Sequence, residues 1–241
     1  MKRIIEQTED GSATLFVPEL NEHYHSVKGA RTESQYIFVD MGLKASAATS
    51  PRVLEIGFGT GLNAQLTLET AERERRPVHY TGIELYPLSW EEVDALHYSD
   101  NPLFEMLHAA PWGEDVNITP YFTLHKIQGD ANTVLNEKFL VSGMLPVRYY
   151  FDVIYFDAFA PEKQPEMWSE GLLRSLYDVL RNHGVLTTYC AKGAVRRLLQ
   201  EVGFTVERLP GPPGGKREIL RASKNNSFIE PHISEPIEEN R

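Results

Sequence analysis

One cysteine, Cys190, stands in a chain of 241 residues. A single thiol excludes an internal disulfide framework and a cysteine-rich zinc site. Its place after an apolar run predicts a small buried residue rather than a nucleophile. Long apolar runs are also missing. No stretch approaches the ~18–20 residues that a membrane helix needs, and Met1-Lys2-Arg3-Ile4-Ile5-Glu6 lacks the apolar core of a secretory signal. A soluble, cytoplasmic protein with no membrane partner is expected. Internal repeats are absent. Positive charge is scarce: 24 Lys and Arg face 34 Asp and Glu, a net charge of −10. Taken alone, that balance disfavours broad electrostatic binding to nucleic acid, because phosphate contacts need Lys and Arg. What is present is a hydrophobic share of 41%. It is enough for a substantial core, in a length that suits one domain with a small appendage.

From Arg52 onward, short apolar runs alternate with helical stretches. Strands are expected at Arg52–Ile56, Val78–Glu84, Phe122–Ile127, Tyr149–Phe156 and Gly184–Tyr189. Helices are expected at Leu62–Arg75, at 88–108 with a break near Asn101-Pro102, at Ala131–Phe139, at 166–182 and at Ala194–Val202. Thr205–Leu209 and Glu218–Ala222 flank a Pro/Gly-rich loop and read as a hairpin. Such alternation predicts an α/β domain with a mostly parallel sheet and a C-terminal antiparallel hairpin. Residues 1–30 read as short strands or turns, and Tyr36-Ile37-Phe38-Val39 suits a short helix or strand.

The chemistry concentrates at strand ends. Glu55-x-Gly57-Phe58-Gly59-x-Gly61-x-Asn63 joins a strand to a helix. Glycines there let the backbone turn tightly and approach a ligand. The spacing departs from the dinucleotide pattern, whose third glycine would fall at Leu62. It resembles instead the S-adenosylmethionine loop of class I methyltransferases, although a plain tight turn would also use these glycines. Glu84, at the end of the second strand, is placed to accept hydrogen bonds from two ribose hydroxyls. Asp130 could accept an adenine amine, with Ala131 as backbone donor, or cap the following helix. Asp157 lies just past an apolar strand. It could accept a hydrogen bond from an attacking amine and take up the proton lost on transfer. His23 and His25 form a His-x-His without a carboxylate cluster, so a core or substrate role is expected and no metal site.

Two longer motifs carry a family resemblance. Glu55-Ile-Gly-Phe-Gly-Thr-Gly-Leu-Asn63 and Asp157-Ala-Phe-Ala-Pro-Glu-Lys-Gln-Pro-Glu-Met-Trp168 resemble the methyltransferase part of tRNA 5-methylaminomethyl-2-thiouridine biosynthesis proteins. Asn21–Ser26, Gly29-Ala30, Glu33-Ser34 and Lys216-Arg217-Glu218 are also similar, so the likeness spans roughly residues 15–222. Pro212-Pro213-Gly214-Gly215 departs from it, standing where an aromatic and fewer prolines are expected. The resemblance implies a class I, Rossmann-like methyltransferase that takes S-adenosyl-L-methionine. It would methylate the aminomethyl group on the wobble uridine of tRNA. The glycine loop and Asn63 would line the cofactor, Glu84 the ribose, Asp130 the adenine and Asp157 the amine. Phe159 and Pro161 would shape the uridine pocket; Lys163 and Trp168 would support that loop, and Lys216 and Arg217 would face substrate. Residues 1–50 are then a substrate-side extension, 51–223 the methyltransferase domain and 224–241 an acidic flexible tail. Some relatives carry a second, flavin-dependent oxidase domain. This chain has no second Gly-x-Gly-x-x-Gly unit and reads as the stand-alone methyltransferase.

Two other classes compete. An aminopropyltransferase of the spermidine synthase kind uses a similar loop, ribose Glu and Asp, but the Asp157–Trp168 motif speaks against it. A non-catalytic cofactor-binding module would not need Asp157. Charge distribution also qualifies the net −10. Residues 181–224 hold Arg181, Lys192, Arg196, Arg197, Arg208, Lys216, Arg217, Arg221 and Lys224 against Glu201, Glu207 and Glu218. A basic C-terminal face that meets the anticodon stem is expected, with one flipped uridine and modest salt dependence.

Overall fold

The computed structural model describes residues 2–139 and 150–225. The expected strand start at Tyr149 and the tail from Asn226 lie outside them. The chain opens with strands β1 (Ile4–Gln7), β2 (Ala13–Val17) and β3 (Glu22–His23), paired antiparallel as a small sheet. Helix α1 (Ala30–Ser34) runs into a wide π turn over Gln35–Asp40 that buries Ile37, Phe38 and Val39.

The main unit then alternates β4 (Arg52–Ile56), α2 (Leu62–Glu74), β5 (Val78–Glu84), α3 (Trp90–Asp94) and α4 (Pro102–Ala109). It continues with β6 (Asp115–Thr119), β7 (Phe122–Gln128), α5 (Ala131–Val134), β8 (Phe151–Phe156) and α6 (Glu170–Val179). It ends with β9 (Leu180–Thr188), α7 (Gly193–Val202), β10 (Thr205–Pro210) and β11 (Glu218–Ser223). The eight strands order as β10-β11-β9-β8-β4-β5-β7-β6. β4, β5, β7, β8 and β9 are parallel, and the β10–β11 hairpin joins antiparallel against β9. β4 and β8 are fully apolar-buried apart from a few polar positions, as expected for strands covered on both faces. Because β4 pairs with both β5 and β8, chain direction across the sheet reverses there. Ligands bind beyond the strand ends at such a switch point.

One expectation is corrected, the expected break near Asn101-Pro102 is borne out, and one edge strand is added. The helix expected over 166–182 is a 3₁₀ turn (Pro165–Trp168) followed by α6, which stops at Val179. Leu180 already pairs with Phe151, and the register shift between Phe151 and Val153 absorbs the extra residues before Val185. Arg181, read as helical, instead bonds both oxygens of Asp152 at 3.0 Å. The stretch 88–108 is two short helices, because Pro102 sits at the first turn of α4 with Asn101 capping it. β6 is an edge strand beyond those expected, in which Val116 and Ile118 alternate with polar residues.

The connection after α2 is held by one side chain. The Arg76 guanidinium donates to the carbonyls of Leu43, Ser46 and Ala48 at 2.6–3.3 Å. Arg76→Met should cost about 2–3 kcal/mol, since hydrogen bonds from a charged donor are lost and carbonyls are left unpaired. A lowered urea midpoint with an unchanged slope checks this.

Candidate active site

The carboxyl ends of the parallel strands open into a cavity of about 590 Å³. Gly57, Phe58 and Gly59 after β4, Glu84 at the end of β5, Asp130 and Ala131 after β7, and Asp157 after β8 all line it. Gly57 has φ +89°, and a Cβ there would fall 2.7 Å from the Asp157 carbonyl oxygen. Only glycine lets the two loops approach so closely. Glu84 ties the glycine loop to the next one. Its Oε2 accepts from the Gly59 N–H and its Oε1 from the Tyr86 N–H, both at 2.9 Å.

Asn63, in the first turn of α2, is 2% exposed and links two acids. Its Nδ2 donates to Glu55 Oε1 at 2.8 Å and to Asp157 Oδ2 at 2.9 Å. Burial pushes the Glu55 carboxyl well above its usual range, helped by Asp157 and Glu84 and opposed by the Asn63 bond. Burial thus favours the neutral form of Glu55. Burial also pushes Asp157 up to about 7, with Glu33 acting the same way. The Asn63 bond and the Lys216 ammonium pull it back. A carboxyl poised near 7 can accept a proton and release it again.

The long motif from Asp157 to Trp168 builds the far wall. Trp168 Nε1 donates to the Phe159 carbonyl at 2.8 Å, and its ring packs 4.7 Å from Phe156. The Ala160 carbonyl accepts from the Lys163 and Gln164 N–H groups, which folds the loop back. Phe159 meets Tyr24 edge-on at 5.3 Å. Asp130 does cap α5, accepting from the Thr133 N–H at 3.0 Å, while it also faces the cavity.

Phe159, Lys163, Lys216 and Asn63 line the cavity as well; Glu55, Gly61, Pro161 and Arg217 do not. Glu55 is fully buried behind Asn63. Gly61 starts α2 with φ +72°, and its missing Cβ would meet His108 at 2.7 Å, behind the loop. Pro161 belongs to the Ala160 turn, and Arg217 is exposed on the hairpin. Conversely, Glu33 and Tyr189 line the cavity and were given no role by spacing alone. Their partners are too distant in sequence for any local pattern to expose them. Tyr24 and His25 line it too. Burial and the nearby Lys216 lower His25 to about 4, so it stays neutral, with Nε2 2.9 Å from Thr60 Oγ1. His23 pairs with Glu6 at 2.9 Å.

The expected basic face is largely neutralised. Arg181, Lys192, Arg208, Lys216 and Arg221 pair with Asp152, Glu162, Glu218, Glu33 and Glu207. Lys224 bonds the carbonyls of Tyr177 and Leu180. Arg196, Arg197 and Arg217 are left without an ion pair among the described residues.

Residues 98–225, more than half of the chain, match the family model described as S-adenosyl-L-methionine-dependent methyltransferase. The chain belongs to that family. S-adenosyl-L-methionine is accordingly its cofactor, and the sheet is that of the class I methyltransferases. The bifunctional tRNA 5-methylaminomethyl-2-thiouridine biosynthesis protein MnmC of Paracidovorax citrulli is 30% identical over 98% of this chain and 37% of its own length. The crystal structure of MnmC2 from Aquifex aeolicus superposes with a TM-score of 0.76 at 27% identity, covering 93% of this chain and 71% of that one. Spermidine synthase from Thermotoga maritima gives a TM-score of 0.52 at 15% identity, over 92% and 72% of the two chains, a likeness of fold alone. This methyltransferase chain spans little more than a third of the curated relatives it matches. Among its described residues no helix is long and apolar enough to cross a membrane, and no group of His, Cys, Asp and Glu could hold a metal ion.

The cavity fits the cofactor of the family. The Gly57–Gly59 backbone lines it with no side chain at either glycine, and Glu84 lines the same space from the neighbouring strand end. Glu84→Gln should weaken S-adenosyl-L-methionine binding by about 10–100-fold, because a charged acceptor of two N–H groups is lost. Calorimetric titration of the pure protein reads this directly.

Proposed function

We propose that this chain methylates the exocyclic amine of 5-aminomethyl-(2-thio)uridine at the wobble position of tRNA, giving 5-methylaminomethyl-(2-thio)uridine. The observation that carries the reading is Asp157. It stands at the cavity end of β8 beside the glycine loop, is tuned to about 7, and is flanked by the Phe159–Tyr24 pair. The names of the relatives, which specify this nucleoside, favour the same substrate.

The residues divide the work. The loop at Gly57–Gly59 and Asn63 would hold the cofactor, with Glu84 at its ribose and Asp130 with Ala131 at its adenine. The cofactor supplies an electrophilic methyl group on a sulfonium. Asp157 accepts a hydrogen bond from the incoming amine, which orients the nitrogen lone pair toward the methyl carbon. Methyl transfer from the bound cofactor would leave positive charge on the amine nitrogen, beside the Asp157 carboxylate. Asp157 then takes the surplus proton and passes it to solvent. Phe159 and Tyr24 offer aromatic edges to a uridine turned out of the anticodon loop. Residues 1–50 would form the substrate side of the cavity, since Tyr24, His25 and Glu33 line it. The substrate requires an earlier enzyme that installs the aminomethyl group.

Incubation of pure protein with labelled cofactor and tRNA bearing the aminomethyl group, followed by nucleoside mass spectrometry, tests the reading. A gain of one methylene unit on that nucleoside is expected. Turnover of putrescine with the decarboxylated cofactor, and none of tRNA, would overturn it in favour of aminopropyl transfer.

A further inference from the structure

Glu33 and Lys216 are 183 residues apart and meet in the cavity wall. Glu33 lies in α1 and is 8% exposed. Its Oε2 accepts from the Ser26 N–H at 3.0 Å, and its Oε1 accepts from Lys216 Nζ at 2.8 Å. Lys216 comes from the loop between β10 and β11, and its ammonium stands 4.6 Å from the centre of the Tyr189 ring. The Tyr189 hydroxyl donates at 2.9 Å to the carbonyl of Ala158, the residue after Asp157. The ion pair is thus fixed at both ends and docked on the loop that carries Asp157.

We propose that Glu33 and Lys216 are opposed positioning charges, each of which offsets the other's pull on the protonation state of Asp157. The inference rests on Asp157 as the proton acceptor. A carboxylate and an ammonium in contact form a dipole, whose two fields nearly cancel at a third site. Removing either charge leaves the other uncompensated at the cavity wall, where the Glu33 side chain is 10% and that of Lys216 37% exposed. The groups that face Asp157 from the other elements are Asn63 of α2, Glu55 of β4, Tyr80 of β5 and Tyr189 beyond β9. Burial raises Glu55, Tyr80 and Tyr189 alike, which favours the uncharged form of each. Glu33 and Lys216 supply the opposed charges, Glu33 favouring the acid form of Asp157 and Lys216 the carboxylate.

The sign follows for each partner. Glu33→Gln leaves Lys216 unopposed and should move the Asp157 titration down by on the order of one pH unit. Lys216→Met leaves Glu33 unopposed and should move it up by a similar amount. The double variant should return close to the parent, and Lys216→Arg should not move it. The test is a carbon-13 titration of the Asp157 carboxyl in the full chain without cofactor, assigned with Asp157→Asn. Melting curves check that each variant folds. Shifts of opposite sign support the proposal. Shifts of the same sign, or none in folded variants, overturn it. If Glu33→Gln does not fold, Lys216→Met decides alone, and failure to raise the titration overturns the pair. No substrate enters this measurement. Opposite shifts without methylation of aminomethyl-tRNA would keep the pair and reject the proposed substrate.

Discussion

Asp157→Asn should lower kcat for methyl transfer by about 10²–10⁴-fold while leaving the cofactor Kd within a few fold. The amide is the same size and can still accept the Asn63 hydrogen bond, so the wall keeps its shape. What it loses is negative charge beside the forming ammonium and a site for the released proton. Radiolabelled methyl transfer with calorimetric titration separates the two effects. In the parent, kcat/KM should rise with pH through about 7 as Asp157 ionises. That limb should be absent from the residual rate of the variant. Methylation at the parent rate would refute the role. The same substitution should stabilise the fold at alkaline pH. The folded Asp157 titrates near 7, above the ~3.9 of an unfolded aspartate, so the native state retains a proton that the unfolded state has released. The parent's stability from this group is full below about 4 and is lost as pH rises through 7. The melting temperature of Asp157→Asn should match the parent near pH 4 and exceed it at pH 8.

Asn63→Asp should be the most damaging single-atom change in the site. It exchanges the amide that donates to both Glu55 and Asp157 for a third acid. Glu55 is fully buried, so its oxygen loses its donor and gains a repulsive neighbour. Breaking a buried charged network in this way costs about 3–5 kcal/mol. The loss should be greatest at pH 8 and smaller at pH 5, where Asp157 retains its proton. Adding Glu55→Gln to Asn63→Asp should recover part of it, giving a coupling energy of about 1 kcal/mol or more in a double-mutant cycle. Equal losses at the two pH values would show that packing, rather than charge, dominates at Asn63.

Much of this site was legible in sequence because its parts sit at predictable places. Glu84, Asp130 and Asp157 each follow an apolar run that the sheet makes a strand, and loops after parallel strands converge at one edge. The glycines between β4 and α2 announced a close approach, and Gly57 makes one, to Asp157. The hairpin was readable from its prolines and glycines. Glu55 was harder. As a strand residue next to the loop it looked like a ligand contact, but alternation turns it away from the cavity and beneath Asn63. Glu33 and Tyr189 were hidden for another reason. Their importance comes from Lys216, and no local period relates residues so far apart. The α6–β9 boundary failed because Leu180, Arg181 and Asn182 carry no stop signal. Pairing with Phe151, a tertiary event, ends the helix.

The bond between Glu33 and Lys216 also bears on how the protein is made. A ribosome delivers residues at about 5–20 per second, and folding begins before the chain is finished. The glycine loop, Glu84 and Asp157 can assemble once β8 has emerged. The wall around Asp157 cannot close until the turn of the last hairpin is outside the exit tunnel. A nascent chain halted before Lys216 would carry its glycine loop with one side of the cavity open, and it would acquire a finished site only once that hairpin had emerged.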